Sequence, residues 1–337
     1  MFSVNIFAQG SSLAVSGEKH LQNIKQLTFG GENAEAYFSF DGKQLSFQSK
    51  RDGRGCDQIY TMNVDGSNVK MVSSGEGRTT CSFIFKGGKK LLYASTRLGG
   101  KECPPNPDFS QYGYVWAIYP SYDIFTANPD GSNIKQLTKT NGYDAEATIS
   151  PNGKKIIFTS ERDGDLELYS MDTNGKNVKR LTNEPGYDGG AFYSPDSKMI
   201  VYRGSHPADQ ALVKRDKEFL AEHLIVPTVF EVWTMNADGS NKRQVTKLNA
   251  ASFAPFFTPD GKRIIFCTNY FATDGRKRNF DLALINVDGT GLERVTYNES
   301  FDGFPMFSPD GKKLVFASNR NAVTQGDTNV FIADWVE

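Results

Sequence analysis

The phrase SPDGKKLVFASNR at 308–320 constrains this chain more than any other feature, because it recurs. SFDGKQLSFQSKR (39–51), SPNGKKIIFTSER (150–162), SPDSKMIVYRGSH (194–206) and TPDGKRIIFCTNY (258–270) repeat it, and FKGGKKLLYASTR (85–97) is a degraded copy. Each reads as strand, tight turn, strand. The Asp-Gly and Asn-Gly pairs supply the positive φ that a two-residue hairpin turn needs. Six hairpins of one design define a repeat, and a repeat decides the architecture.

A third strand follows each hairpin: DQIYTMN (57–63), YDIFTAN (122–128), LELYSMD (166–172), FEVWTMN (230–236), FDLALIN (280–286) and TNVFIAD (328–334). All but the last run through another Gly turn into a fourth strand, such as VKRLT at 178–182. The unit is four antiparallel strands, a to d. The first turns fall at 41, 87, 152, 196, 260 and 310, spaced by 46, 65, 44, 64 and 50 residues. A base period of about 40–50 residues per four-stranded unit is that of a propeller blade. The last copy lacks strand d, and the surplus NIKQLT at 23–28 repeats NIKQLT at 133–138 letter for letter. The reading is therefore all-β: a six-bladed β-propeller over 21–337, closed by its N-terminal strand, with a helical insertion in blade four. The small residues Ala34, Ala36, Ala145, Ala147, Gly189, Ala191, Gly303 and Pro305 are expected near the crowded axis.

The phrases SPDGKKLVFASNR and LYSMDTNGKNVKRLTN resemble the WD-like propeller repeats of the TolB family, with the pattern S-P-D-G-K-x-[IL]-x-F-x-S-x-R, over about residues 20–337. The resemblance implies a bacterial periplasmic or secreted protein. It does not extend to the α/β domain that precedes the TolB propeller, so the TolB envelope role is not implied. Related propellers also accompany peptidases, but no G-x-S-x-G elbow is present here. Others belong to polysaccharide lyases that resemble this chain but have a histidine-rich metal site it lacks.

Charge narrows the partners. Lys and Arg number 38 against 39 Asp and Glu, which speaks against a nucleic-acid binder working by bulk phosphate neutralisation and leaves room for local charge patches. No apolar run reaches the roughly 20 residues that span a bilayer. The opening MFSVNIFAQGSSLAVSG resembles the tail of a secretory signal, so residues 1–20 are expected to be a leader. Cys267 lies in an apolar strand and reads as a buried thiol. In an exported chain Cys103 pairs with either Cys81 or Cys56.

In a ring of this kind the a–b and c–d turns share one face, and the d–a and b–c loops the other. Variation collects on the second face, where binding residues are expected. Two b–c insertions stand there. The first, 97–122, carries Phe109, Tyr112, Tyr114, Trp116, Tyr119 and Tyr122, amphipathic rings that suit a peptide or sugar partner unless they pack on one another. The second, 205–228, carries Leu212, Phe219, Leu220 and Leu224 at helical spacing and reads as a cover or lid on the channel. His206 and His223 stand at its two ends. The d–a loops place Asn33, Glu35, Asp144, Glu146, Asp188 and Asp302 near the channel mouth, with Thr79 and Ser252 breaking the series. These acids would attract a basic segment or hold Ca²⁺, or else pair with the arginines Arg51, Arg97, Arg162 and Arg320 that end strand b. The residues favour a binding module for a protein or peptide over an enzyme. The alternatives are a glycan- or peptide-cleaving enzyme with its site in the channel beneath 205–228, and an accessory module of a peptidase. An oligosaccharide is the second partner class.

Overall fold

The computed structural model describes residues 13–272 and 279–337. Most of the expected leader, residues 1–12, lies outside them. Six four-stranded antiparallel sheets form, and in sequence order each runs a, b, c, d from the axis outward. Blade four, for example, takes Tyr187–Tyr193, Met199–Ser205, Glu231–Asn236 and Arg243–Gln244. Blade six takes Asp302–Phe307, Lys313–Ser318 and Asn329–Trp335, and its fourth strand is the N-terminal Leu21–Gln26, with Leu21 opposite Trp335 and Gln26 opposite Phe331. The ring closes as the surplus strand requires, leaving no open edge at the seam.

The repeat phrase has a physical reason at each letter. Ser308 Oγ donates to Asp310 Oδ1 at 2.6 Å, the Lys312 N–H reaches the same oxygen at 3.1 Å, and Gly311 takes φ +72°. The connection differs from the two-residue turn expected, because the Ser308 N–H closes on the Lys313 carbonyl and makes residues 309–312 a four-residue loop. The ninth letter is the core. Phe47, Tyr93, Phe158, Tyr202, Phe266 and Phe316 are all fully buried, one per blade, each worth about 2–3 kcal/mol of burial.

Outer strands are only two residues long in five blades, from Lys70–Met71 to Glu293–Arg294. A hydroxyl ends each one. Thr138, Thr182, Thr246 and Thr296 Oγ1 accept the strand-c N–H of Ile124, Leu168, Val232 and Leu282 at 2.8–2.9 Å, and Ser73 Oγ does so for Ile59. At the seam Thr28 accepts from Val330 at 2.9 Å, so the N-terminal strand is a strand d in chemistry as well as position. Its lead-in also belongs to the ring. Glu18 and His20 are buried, His20 stacks on Trp335 at 4.8 Å, and Glu18 meets Arg320 at 2.9 Å.

Every strand a carries a β-bulge at the same place, and its first residue is left-handed. These residues are Glu35, Cys81, Glu146, Gly190, Ala254 and Phe304, with φ between +50° and +60°. All six line the waist of the central channel. The small residues expected at the axis instead flank these positions, with Ala36, Ala147 and Ala191 buried beside them. A bulge re-aims one side chain per blade.

Candidate functional site

Because the bulge turns Glu35 and Glu146 toward the axis, both line a cup of about 530 Å³ at the insertion-bearing mouth. Glu32, Asp57 and Arg203 share it, with Tyr114, Trp116, Phe253 and Phe304 as aromatic walls. Below the cup the channel narrows to a waist with about 20 Å³ of free space, room for a water but not for a side chain.

Arg203 organises the floor. It stands in strand b where other blades carry Gln48, Ala94, Thr159, Cys267 and Ala317. Its guanidinium passes over Gly190, where an added Cβ would lie 2.5 Å from Nη1, and pairs with Glu146 and the Tyr187 hydroxyl. Trp116 and Tyr187 present their rings to it at 5.3 and 5.2 Å. Glu146 also accepts from Thr159 Oγ1, Tyr187 Oη and the Gly190 N–H at 2.7, 2.8 and 2.9 Å. Burial pushes the Glu146 carboxyl up, but Arg203 and these donors outweigh it and hold it below the usual range. Among the described residues no cation pairs with Glu35, and the Tyr37 hydroxyl donates to it at 3.4 Å. Burial, aided by the nearby Glu146 and Asp57 charges, pushes it up to about 7 against the pull of Cys81 and Arg203.

The three aspartates of the expected ring do not line the cup. Asp144, Asp188 and Asp302 are fully buried inside the blades. Asp144 meets Arg162 at 2.8 Å, and Asp302 meets Arg320 at 2.9 Å. Asp188 meets His206 at 2.9 Å, and His206 fills the place in the repeat where other copies carry that arginine. Each contact joins the end of strand b to the start of strand a. Asn33 is likewise buried, bonded to Ser49 and to the Thr328 carbonyl at the seam. Thr79 and Ser252 occupy the same buried place in blades two and five.

The aromatic insertion divides. Tyr122 is buried, and Tyr119 is tied by its hydroxyl to the Pro105 carbonyl at 2.9 Å beneath Arg78. Tyr112 meets Phe219 edge to face at 6.1 Å. Trp116 stacks on Phe230 at 5.6 Å with one edge in the cup, and Tyr114, 64 % exposed, receives its indole N–H at 3.1 Å. A Cys56–Cys103 disulfide ties this insertion to blade one. Cys81, the other partner considered for Cys103, is a buried free thiol in the waist, and Cys267 is buried as expected.

The second insertion forms the helix Gln210–Ala221, capped by Asp209. It contributes no residue to the cup walls and lies over blades three and four, above a small cavity lined by Leu166, Tyr187, Leu220 and Phe230. Its apolar stripe stops short of the expected Leu224. His223 turns left-handed, and Leu224–Ile225 pair antiparallel with Trp116–Ala117 of the first insertion. The two insertions therefore form one cap, and the channel mouth stays open beside it. Sequence reading missed Arg203, Glu32, Asp57, Phe253 and Phe304. An arginine at the tenth letter of the blade-four repeat is the signal that would have found the first. Among the described residues no group of three or more His, Cys, Asp or Glu could hold a metal, and no helix is long and apolar enough to cross a membrane.

Comparison with known proteins agrees with this architecture. A family profile described as the TolB beta propeller domain matches residues 104–232. The Tol-Pal system protein TolB of Bordetella pertussis is 44 % identical over 39 residues, 12 % of this chain and 9 % of that protein. The chain thus aligns with about a tenth of that relative. The structure of a putative TolB from Agrobacterium tumefaciens superposes with a TM-score of 0.58 at 18 % identity, covering 91 % of each chain. An oligogalacturonate lyase from Vibrio parahaemolyticus superposes with a TM-score of 0.53 at 14 % identity, covering 92 % of this chain and 93 % of the other. At these identities the likeness is one of fold.

Proposed function

Starting from a TolB-like six-bladed propeller, we propose that this protein is an exported interaction module that seats a cationic segment of a protein or peptide partner in the cup at its insertion-bearing mouth. One observation carries the reading: the lining of the cup holds four acids, Glu32, Glu35, Asp57 and Glu146, against one cation, Arg203, which is paired with Glu146. From outside the lining Lys50 reaches Glu32 at 3.1 Å and Arg78 reaches Asp57 only at 3.7 Å. The remaining carboxylates stand among the Tyr114, Trp116, Phe253 and Phe304 rings, where a lysine or arginine side chain gains both charge and ring contacts. The Cys56–Cys103 disulfide supports an oxidising location.

Trp116 gives the assay its signal. Short amidated peptides carrying a central Arg or Lys are titrated while indole fluorescence is followed. The Glu35→Gln/Asp57→Asn variant should weaken binding at least tenfold, with melting temperature as the control for folding. Equal response to a peptide with Ala in place of the cation overturns the reading. Loss of binding on adding a calcium chelator would put Ca²⁺ among the same carboxylates.

One observation favours a second reading. Glu35, raised to about 7, faces an ionised Glu146, and carboxyl groups with split pKa values are what general acid–base chemistry on a glycan or peptide requires. Under that reading Glu35→Gln abolishes turnover of an oligosaccharide or peptide while leaving its binding intact.

A further inference from the structure

The opposite end of the channel is chemically unlike the cup. A funnel of about 200 Å³ opens among the six a–b turns, with Phe40, Phe83, Phe192, Phe256 and Met306 among its walls. Pro151, Pro195, Pro259 and Pro309 complete the rim. The rings belong to different blades and touch one another: Phe192 meets Phe256 at 5.2 Å and Phe83 at 6.3 Å, and Phe40 meets Phe83 at 6.3 Å. Beyond these rings lies the constricted waist at Glu35 and Glu146, too narrow for a side chain to pass.

Its rim is basic. The turns at 41–43, 86–90, 152–154, 196–198, 260–262 and 310–312 hold eight lysines and four aspartates, and all of the lysines are exposed. The aspartates are committed to their own turns. Asp41, Asp196, Asp260 and Asp310 each accept from the Ser or Thr hydroxyl two residues back and from the following lysine's backbone N–H. Lys198 and Lys262 reach back to their aspartates only at 3.9 Å, with side chains 82 % exposed. Eight lysines against four aspartates leave a net charge of +4 around an apolar hole.

We infer that this funnel is a second binding site, for an acidic peptide segment that inserts one aromatic side chain. The volume matches a single large side chain and excludes a long acyl chain, and ring walls favour an aromatic guest in edge-to-face contact. The lysine rim selects acidic flanks and makes association depend on salt. The protein would then hold a basic segment at one mouth and an acidic one at the other.

The test uses a fluorescein-labelled Asp-Glu-Phe-Glu-Asp peptide and the whole chain, followed by anisotropy. The expected result is binding at least tenfold tighter than that of the same peptide with Ser for Phe, and tighter at 50 mM than at 200 mM salt. Lys198→Glu/Lys262→Glu/Lys312→Glu lies on exposed turns and should reduce binding at least tenfold without moving the melting temperature. Trp116→Ala, at the other mouth, should leave it unchanged, which separates failure here from failure of the cup. Equal binding of the Ser peptide, or an unaltered triple variant, overturns the inference. So does capture of the protein by phosphatidylglycerol vesicles when the peptide does not bind.

Discussion

Arg203 of blade four reaches across Gly190 to pair with Glu146 of blade three, joining two blades at the floor of the cup. Both side chains are largely buried, at 8 % and 14 % exposure. Removing one partner of such a pair strands the other, which costs about 3–5 kcal/mol. Arg203→Met should therefore destabilise the fold by about that amount in urea titrations, and a double change with Glu146→Gln should recover part of it. Gly190→Ala should also cost about 1–3 kcal/mol, because φ is +59° and the new methyl would meet the guanidinium. Independence of the Arg203 and Glu146 effects in the cycle would show that the pair is not coupled.

Glu35 gives the protein a pH-dependent floor. Its folded value of about 7 lies above the ordinary 4.5, so the folded state favours the protonated form. Stability from this group is fully present below about pH 4.5 and is lost as pH rises toward 7. Complete above pH 7, the loss is on the order of 3 kcal/mol by linkage. Glu35→Gln should raise the melting temperature at pH 8, leave it nearly unchanged at pH 4, and flatten the profile between. An unaltered profile would place the titrating group elsewhere.

The aspartates at the heads of strand a should behave as structural groups. Asp302→Asn leaves Arg320 with Glu18 alone in a buried setting, a cost on the order of 3 kcal/mol. Asp188→Asn removes the partner of His206. Burial works against that imidazolium, but Asp188 outweighs it and holds His206 above the usual histidine range. The stability it contributes is present below pH 6.5 and lost as pH rises through the folded value. His206→Arg, which restores the residue found at this place in other blades, should remove that step from the melting profile. Preserved melting temperatures for all three variants would return these residues to a binding role.

The ring was legible because its signal is redundant: six copies of one hairpin, and a surplus strand at one end matching a deficit at the other. The site was legible only by alternate residues. Glu35 and Glu146 were found, but Asp144, Asp188 and Asp302 were grouped with them, although the bulge turns only the residue at Glu35 or Glu146 to the axis. A left-handed bulge residue can be Glu, Cys, Gly, Ala or Phe, so no letter announces it. Arg203 was visible as an odd letter, yet its direction depends on Gly190 leaving room in the neighbouring strand. The pairing of Leu224–Ile225 with Trp116–Ala117 joins segments about a hundred residues apart and has no local signature.

The Cys56–Cys103 bridge should set both stability and the shape of the mouth. It closes a loop of 47 residues, for which chain entropy alone gives about 4 kcal/mol. It also anchors the segment that runs on to Tyr114 and Trp116 at the cup wall. Reduction, or Cys103→Ser, should lower stability by about 2–4 kcal/mol and weaken cationic-peptide binding at the cup. Acidic-peptide binding at the funnel should be unaffected, because no funnel wall belongs to the insertion. Cys81 and Cys267 are buried, and burial pushes both thiols up, so they should resist alkylation until the protein unfolds. Mass spectrometry after alkylation of the native protein checks this: no thiol should be modified before reduction, and two should be afterwards. Alkylation of Cys56 and Cys103 without reductant would show that the bridge does not form.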